Sequence, residues 1–218
     1  MLISMELVIR KKIRKWYKTN KRDFPWRHIK DPYKIMIAEF MLHRTKAEQV
    51  APVYQKFIKK YPDLNSLADA DEKEIKKVTE HLGLHWRSEH FIKAARFVVD
   101  NYKGKFPEER DELSKIPGVG EYVSGAILTV CFNKPEWVVD SNIARFINRF
   151  YDLKLKGEIR RKKEIVNIST KLFQCDKPGE FLFSIIDFTS LVCKPVNPLC
   201  AGCPLKIHCK YDKVPSSE

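Results

Sequence analysis

The chain has 218 residues, long enough for one large domain or two small lobes with a substantial core. No run approaches the roughly 18 uninterrupted apolar residues of a membrane span. In the opening Met1–Trp16 stretch the basic residues follow the short apolar run, so it reads as an amphipathic helix and not as a secretory signal; an intracellular protein without a membrane partner is expected. Lys plus Arg total 41 against 28 Asp plus Glu, a formal charge of +13. Such an excess concentrates polyanions, of which nucleic acid is the commonest inside a cell. A solvated, lysine-rich surface gives the same total, so charge alone does not separate the two.

Strand signals are nearly absent, and apolar residues recur at spacings of three and four almost throughout. An all-α fold is therefore expected. In chain order the periodicity predicts helices over Met5–Thr19, Pro32–His43, Lys46–Tyr61, Asp71–His81 and Trp86–Tyr102. It then predicts Glu109–Lys115, Glu121–Phe132, Asn142–Phe150, Arg161–Cys175 and Gly179–Val192. Breaks are expected at Asp31-Pro32, Tyr61-Pro62, Gly83, Phe106-Pro107, Pro117-Gly118, Asn133–Pro135 and Lys177–Gly179. There is no internal repeat, and Lys213–Glu218 reads as a frayed tail.

The segment Leu113–Leu128 carries the first specific signal. A short helix meets Pro117, which stops it. Gly118 and Gly120 are expected to allow backbone angles and close approaches that a Cβ forbids. A second helix starts at once, with Ser124, Gly125 and Ala126 small enough to pack tightly on the first. The amides around Val119, Gly120 and Glu121 are then expected to point outward from a helix N-terminus, an anion site suited to a DNA phosphate. Gly-Val-Gly alone also fits a plain helical turn. Pro117 before it, the apolar positions Leu113, Ile116, Val119, Ile127 and Leu128, and the positive charge favour DNA. Such hairpins occur in non-enzymatic DNA-binding proteins as well.

Four of the six cysteines fall in the last 26 residues: Cys193, Cys200, Cys203 and Cys209, spaced C-x6-C-x2-C-x5-C. Four thiolates in one compact loop can hold Zn²⁺ or an iron–sulfur cluster, and the chemistry of the residues does not separate these. Pro195, Pro198 and Pro204 stiffen the loop. Cys131 reads as a buried thiol on an apolar helix face, and Cys175 as structural or incidental.

Two carboxylates stand out. Asp140, in Val138–Asn142, can cap the helix that follows. If it faces the same cleft as the hairpin, it can also serve chemistry, kept ionised by the helix dipole. Cleavage of an N-glycosidic bond leaves oxocarbenium character on the sugar, which an ionised carboxylate stabilises. Glu39 interrupts the apolar run Ile35–Leu42, where its neighbours leave little room for a polar face.

With the hairpin, the aspartate about twenty residues beyond it and the cysteine spacing together, the sequence resembles the endonuclease III superfamily of helix-hairpin-helix DNA glycosylases over nearly the whole chain. The resemblance implies two α-helical lobes with a cleft between them and a C-terminal [4Fe-4S] cluster loop. One lobe is a six-helix module over 29–137; the other joins 1–28 to 138–218. It implies that Cys193, Cys200, Cys203 and Cys209 hold the [4Fe-4S] cluster and that Asp140 is the catalytic aspartate. Bifunctional members carry a lysine where this chain has Tyr122, and neither a phenol nor the adjacent Glu121 can form a Schiff base. Base removal without efficient lyase activity is therefore expected.

Two monofunctional branches are similar to the chain. Archaeal thymine-DNA mismatch glycosylases share Tyr122, Arg22–Arg27, Leu42–Thr45 and the Val139-Asp140-x-Asn142 element. MutY adenine glycosylases share Glu39 as an acid and Pro25-Trp26, but usually have Gln-Gln-Thr in place of His43-Arg44-Thr45. They usually carry a further C-terminal domain, which the nine residues after Cys209 do not supply. The expected enzyme removes thymine or uracil opposite guanine; an adenine glycosylase is the alternative, and a non-catalytic DNA-binding or redox-sensing protein the third reading.

The expected partner is double-stranded DNA with a mismatched or damaged base, held by a monomer through Pro117, Gly118, Val119, Gly120 and Glu121, with the target base flipped out. His43 and Arg44 are candidates to fill the vacated stack or touch the opposite guanine, and equally to contact phosphate. Tyr122 is expected to shape the base pocket and Glu39 to polarise the base, with Trp26 in the core. Lys194, Lys206 and Lys210 are expected to face phosphates from the cluster loop.

Overall fold

The computed structural model describes residues 4–83 and 88–211. Its regular structure is helical, with no strand among the described residues. The eleven α-helices of the described residues are α1 (Met5–Asn20), α2 (Pro32–Leu42), α3 (Ala47–Lys60), α4 (Leu64–Ala68), α5 (Glu72–Thr79) and α6 (Ser88–Tyr102), then α7 (Arg110–Ser114), α8 (Glu121–Cys131), α9 (Ser141–Tyr151), α10 (Lys163–Phe173) and α11 (Pro178–Leu191). The tail expected at 213–218 and the helix start expected at 86 and 87 lie outside the described residues. No helix of the described residues is long and apolar enough to cross a membrane.

Helix starts follow local chemistry. Asp31 accepts from the Tyr33 amide at 2.9 Å and Pro32 takes the first helical position, where a missing N–H costs nothing. Pro178 does the same for α11, so that helix begins one residue before the expected Gly179. The periodicity missed α4. It is a single turn held by a capping box, with Asp63 Oδ1 accepting from the Ser66 amide at 2.8 Å and Ser66 Oγ from the Asp63 amide at 3.2 Å. Five residues are too few to show a 3.6-residue period, and Tyr61-Pro62 masked the cap.

The chain divides into two compact units: Met1–Arg22 with Asn133–Glu218, and Asp23–Phe132. In the second unit, α2 packs on α3 and α8, α7 packs on α8, and α6 packs on α4 and α5. Its core holds Phe40, Phe57 and Phe91 with ring centres 5.2–5.6 Å apart for Phe57–Phe91 and Phe40–Phe91. Trp26 is a core residue, 3% exposed and stacked on Phe24 at 5.1 Å. In the first unit α1 packs on α10 and α11, and α9 packs on α10 and α11. Fully buried Asp187 of α11 is met by the Arg22 guanidinium at 2.9 Å and the Arg22 amide at 3.0 Å, so the buried charge is both paired and hydrogen-bonded.

Candidate nucleic-acid interface and active site

The hairpin lies in the second unit. Leu113 and Ile116 are buried, and the Ile116 carbonyl accepts from the Val119 amide at 2.9 Å, closing a tight turn. Gly118 has φ +83°, and a Cβ there would sit 3.1 Å from the Phe40 ring. Both facts call for glycine, and the second ties the turn to α2 one residue past Glu39. Gly120 is different. Its φ of −97° suits any residue, and no atom lies within 4 Å of where a Cβ would be. The expectation that Gly120 relieves backbone strain is therefore corrected: it keeps open space over the start of α8.

The anion site is also narrower than expected. The Val119 amide is committed to Ile116, and the Val119 side chain is 4% exposed, so this residue anchors the turn rather than offering a donor. Among the described residues no protein acceptor takes the amides of Gly120, Glu121 or Val123, and Gly120 supplies no side-chain cap. Pro117 is half-buried and Glu121 exposed. The Arg110 guanidinium of α7 donates to the Glu121 carbonyl at 2.9 Å and lies 3.4 Å from its carboxylate, linking the two helix starts of the hairpin.

Tyr122, in the first turn of α8, and Glu39, in α2, are both half-buried, and α2 packs on α8. Seven of the eleven residues of α2 are buried, including Ile37, Ala38, Phe40 and Met41 around Glu39. The α2 helix ends at Leu42, before His43; His43 and Arg44 are exposed, and Arg44 has φ +65°, an unusual conformation for a side-chain-bearing residue.

Asp140 lies in the first unit. Val138 and Val139 anchor the segment in the core, and the Val138 carbonyl accepts from Ser169 Oγ of α10 at 3.0 Å. Asp140 caps α9, its Oδ1 accepting from the Ile143 amide at 2.7 Å and its Oδ2 from Asn142 Nδ2 at 2.8 Å. Burial pushes its carboxyl pKa up, and this outweighs the downward pull of those hydrogen bonds and of Arg145. The helix start therefore favours the ionised form as expected, but does not win.

Beyond Asp140 runs a chain of contacts that the sequence reading missed. Asn142 Oδ1 accepts from Arg145 Nη1 at 2.9 Å, and Arg145 Nη2 donates to the Cys193 carbonyl at 2.8 Å and the Thr189 carbonyl at 3.0 Å. One turn on, Arg149 donates to the carbonyls of Lys194 at 2.6 Å and Pro195 at 2.8 Å. Two arginines four residues apart on α9 thus hold the start of the cysteine loop. Their i, i+3 and i, i+4 spacing from Asn142 and from each other was the available signal.

Cys193, Cys200, Cys203 and Cys209 line one pocket, open in part to solvent, together with Phe146, Phe150, Phe188, Val192 and Leu205. None of the six cysteines forms a disulfide. Burial pushes the Cys203 thiol up to about 11, and its three cysteine neighbours add to this. Among the described residues no three His, Cys, Asp or Glu side chains close as a single bound ion requires. Cys131 is half-buried, its thiol pushed up to about 12 mainly by burial. Cys175 accepts from Arg14 at 3.4 Å.

Residues 37–174 match the HhH-GPD superfamily base excision DNA repair protein model. The chain belongs to that superfamily. It is 34% identical to a thymine/uracil-DNA glycosylase of Methanothermobacter thermautotrophicus, over 90% of this chain and 89% of that one. An adenine DNA glycosylase of Buchnera aphidicola is 35% identical over 94% of this chain and 58% of the relative. Among solved structures, a thermostable thymine-DNA glycosylase superposes with a TM-score of 0.90 at 32% identity, covering 95% of this chain and 96% of that one.

Proposed function

We propose that the chain is a monofunctional DNA glycosylase that removes thymine or uracil mispaired with guanine. Membership of a base-excision repair superfamily and the thymine/uracil-specific relatives support the reaction class. One observation carries the monofunctional assignment: the first turn of α8, among the open amides, carries Tyr122. A phenol cannot form the imine on which strand cleavage depends.

The substrate is duplex DNA, acted on by a monomer. The Gly120, Glu121 and Val123 amides take a backbone phosphate, and Asp140 acts on the sugar of the flipped nucleotide. The C1′–N bond breaks with its electron pair leaving on the base. Ionised Asp140 stabilises the cationic sugar or orients the water whose oxygen bonds to C1′. That water loses a proton, and the departing base gains one. Glu39 polarises the base and Tyr122 walls its pocket. His43 and Arg44 touch the opposite strand, where Arg44 is presented by its left-handed backbone.

The cysteine loop fits a [4Fe-4S] cluster. Four thiols line one pocket otherwise walled mainly by aromatic and aliphatic residues, with Arg149 and Lys206 also on its wall, and Arg149 approaches Cys193 Sγ at 3.9 Å. Cys193, Cys200, Cys203 and Cys209 would hold the group, which would supply a structural cross-link there, and Arg145 and Arg149 tie the start of this loop to α9. Aerobically purified protein is expected to be brown and to carry about four irons per chain. A colourless protein with one zinc overturns this part alone.

The function is tested by single-turnover reactions on duplexes bearing T·G, U·G, A·G and A·8-oxoguanine, each split with and without hot alkali. T·G and U·G strands broken only after alkali support the proposal. Preferential loss of adenine favours the adenine-glycosylase reading that Glu39 allows, and breakage without alkali refutes the role of Tyr122.

A further inference from the structure

The connection between α9 and α10, residues 152–162, takes no part in the site so far described. With Lys163 it carries Lys154, Lys156, Arg160, Arg161, Lys162 and Lys163, all exposed. Lys154 pairs with Asp152 at 3.6 Å and Arg160 with Glu158 at 2.5 Å. Among the described residues, Lys156, Lys162 and Lys163 make no ion pair, and Arg161 is within electrostatic reach of Glu158 without a close contact. Such an excess of cations within eight residues repels itself, and a free loop would relieve that repulsion by extending.

This loop is instead held in shape. Asn148 of α9 grips Leu155 from both sides, Nδ2 donating to its carbonyl and Oδ1 accepting from its amide, each at 3.1 Å. The Leu153 amide donates to the Asn148 carbonyl at 3.0 Å. The backbone turns through left-handed conformations at Asp152, Lys154 and Gly157, with φ of 52°, 55° and 75°. Glu158 accepts from the Arg160 amide at 3.0 Å and its Nε at 2.9 Å, fixing that side chain. Beside the loop is an open hollow lined by Arg145, Asn148, Arg149, Asp152, Lys154, Ile159 and Tyr211, three cations against the one carboxylate of Asp152, with Arg149 stacked 4.7 Å from the Tyr211 ring. Arg160 is within electrostatic reach of Asp140.

We propose that the pinned 152–162 loop and the adjoining hollow form a second seat for duplex DNA, taking backbone phosphates near the reacting nucleotide on the unit that carries Asp140. The inference rests on the glycosylase reading and adds where the duplex is held. A pre-shaped cationic loop binds a phosphodiester strand without the ordering cost of a flexible one, and its contacts release counterions. Arg160, within electrostatic reach of Asp140, links this loop to the chemistry.

The test is fluorescence anisotropy on a T·G duplex across a potassium chloride series. It compares the triple variant Lys156→Gln, Arg161→Gln, Lys162→Gln with a charge-matched control on exposed positions of α1, Lys11→Gln, Lys15→Gln, Lys18→Gln. The loop variant is expected to lose about 0.9 in salt slope per phosphate contact removed, and roughly tenfold or more in affinity near physiological salt. The α1 control is expected to change much less. An unchanged slope in the loop variant, or an equal loss in the control, overturns the proposal, the latter by reducing the effect to total charge. Asn148→Leu keeps every charge but releases Leu155; weakened binding by folded protein supports a pre-shaped seat, and unchanged binding refutes the pinning. Wild-type protein that binds through the loop yet releases no base would refute the glycosylase reading while leaving this seat standing.

Discussion

Helices α8 and α9 begin with almost the same backbone and opposite chemistry. Gly120 before α8 has φ −97° and ψ −176°; Asp140 before α9 has φ −99° and ψ −178°. One N-cap has no side chain, leaving amides open under clear space. The other carries a carboxylate that closes on its own helix, accepting from Ile143 at 2.7 Å. A helix N-terminus is a fixed partial positive charge, and the cap residue decides what uses it. An empty cap leaves it for an external anion such as phosphate. A filled cap holds an internal anion in one orientation, here against the cost of burial that pushes Asp140 up.

The largest expected effect comes from separating charge from capping at α9. Asparagine caps as well as aspartate, so Asp140→Asn keeps the helix start while removing the negative charge. Single-turnover base release from T·G duplex is expected to fall by about 10³-fold, with duplex affinity retained. The stability sign is also fixed. A carboxyl with a raised folded pKa stabilises the fold below its unfolded pKa of about 3.9 and loses that contribution as pH rises through the folded value. At neutral pH the variant should thus unfold at the same temperature or slightly higher. Undiminished base release would remove Asp140 from the reaction, and a marked fall in unfolding temperature would show that the negative charge stabilises the start of α9 rather than costing it.

The converse exchange is smaller and tests the comparison directly. Gly120→Asp gives α8 the start that α9 already has, at backbone angles an aspartate adopts without strain and with no atom within 4 Å of the new Cβ. The helix is expected to gain about 0.3–1 kcal/mol in thermal or denaturant unfolding. Duplex binding is expected to weaken by roughly tenfold, with a salt slope shallower by about 0.9, because the carboxylate occupies the amides. Gain in stability with unchanged binding would mean that the start of α8 holds no phosphate.

The two starts were unequally legible in the sequence. Pro117, Gly118 and Gly120 announce the hairpin because proline and glycine act locally, yet only the fold shows that Phe40 is what Gly118 accommodates. Asp140 is readable as a cap from the residues beside it. Its link to the cysteine loop is not, because Arg145 reaches a carbonyl 48 residues away. The shape of residues 152–162 was not legible: Asp152 takes the left-handed angle of the α9 C-cap, and the Asn148 side chain then clamps Leu155 beyond left-handed Lys154. Local rules place turns and caps, whereas long-range hydrogen bonds decide which charges are held still.

That long-range link gives the smallest prediction. Asn142 stands between Asp140 and Arg145, donating to the carboxylate at 2.8 Å and accepting from the guanidinium at 2.9 Å. Its donation favours ionised Asp140, so Asn142→Ala should raise a pKa that burial has already raised. In the proposed mechanism the ionised form is the active one, so the acid limb of the single-turnover pH profile should move to higher pH. The plateau rate at high pH should change less than the limb, since deprotonation restores the active carboxylate there. A limb that stays in place with a lowered plateau would mean that Asn142 orients Asp140 without tuning its charge. A limb that moves to lower pH would reverse the sign of the contact and break the argument that α9 holds its anion at a cost.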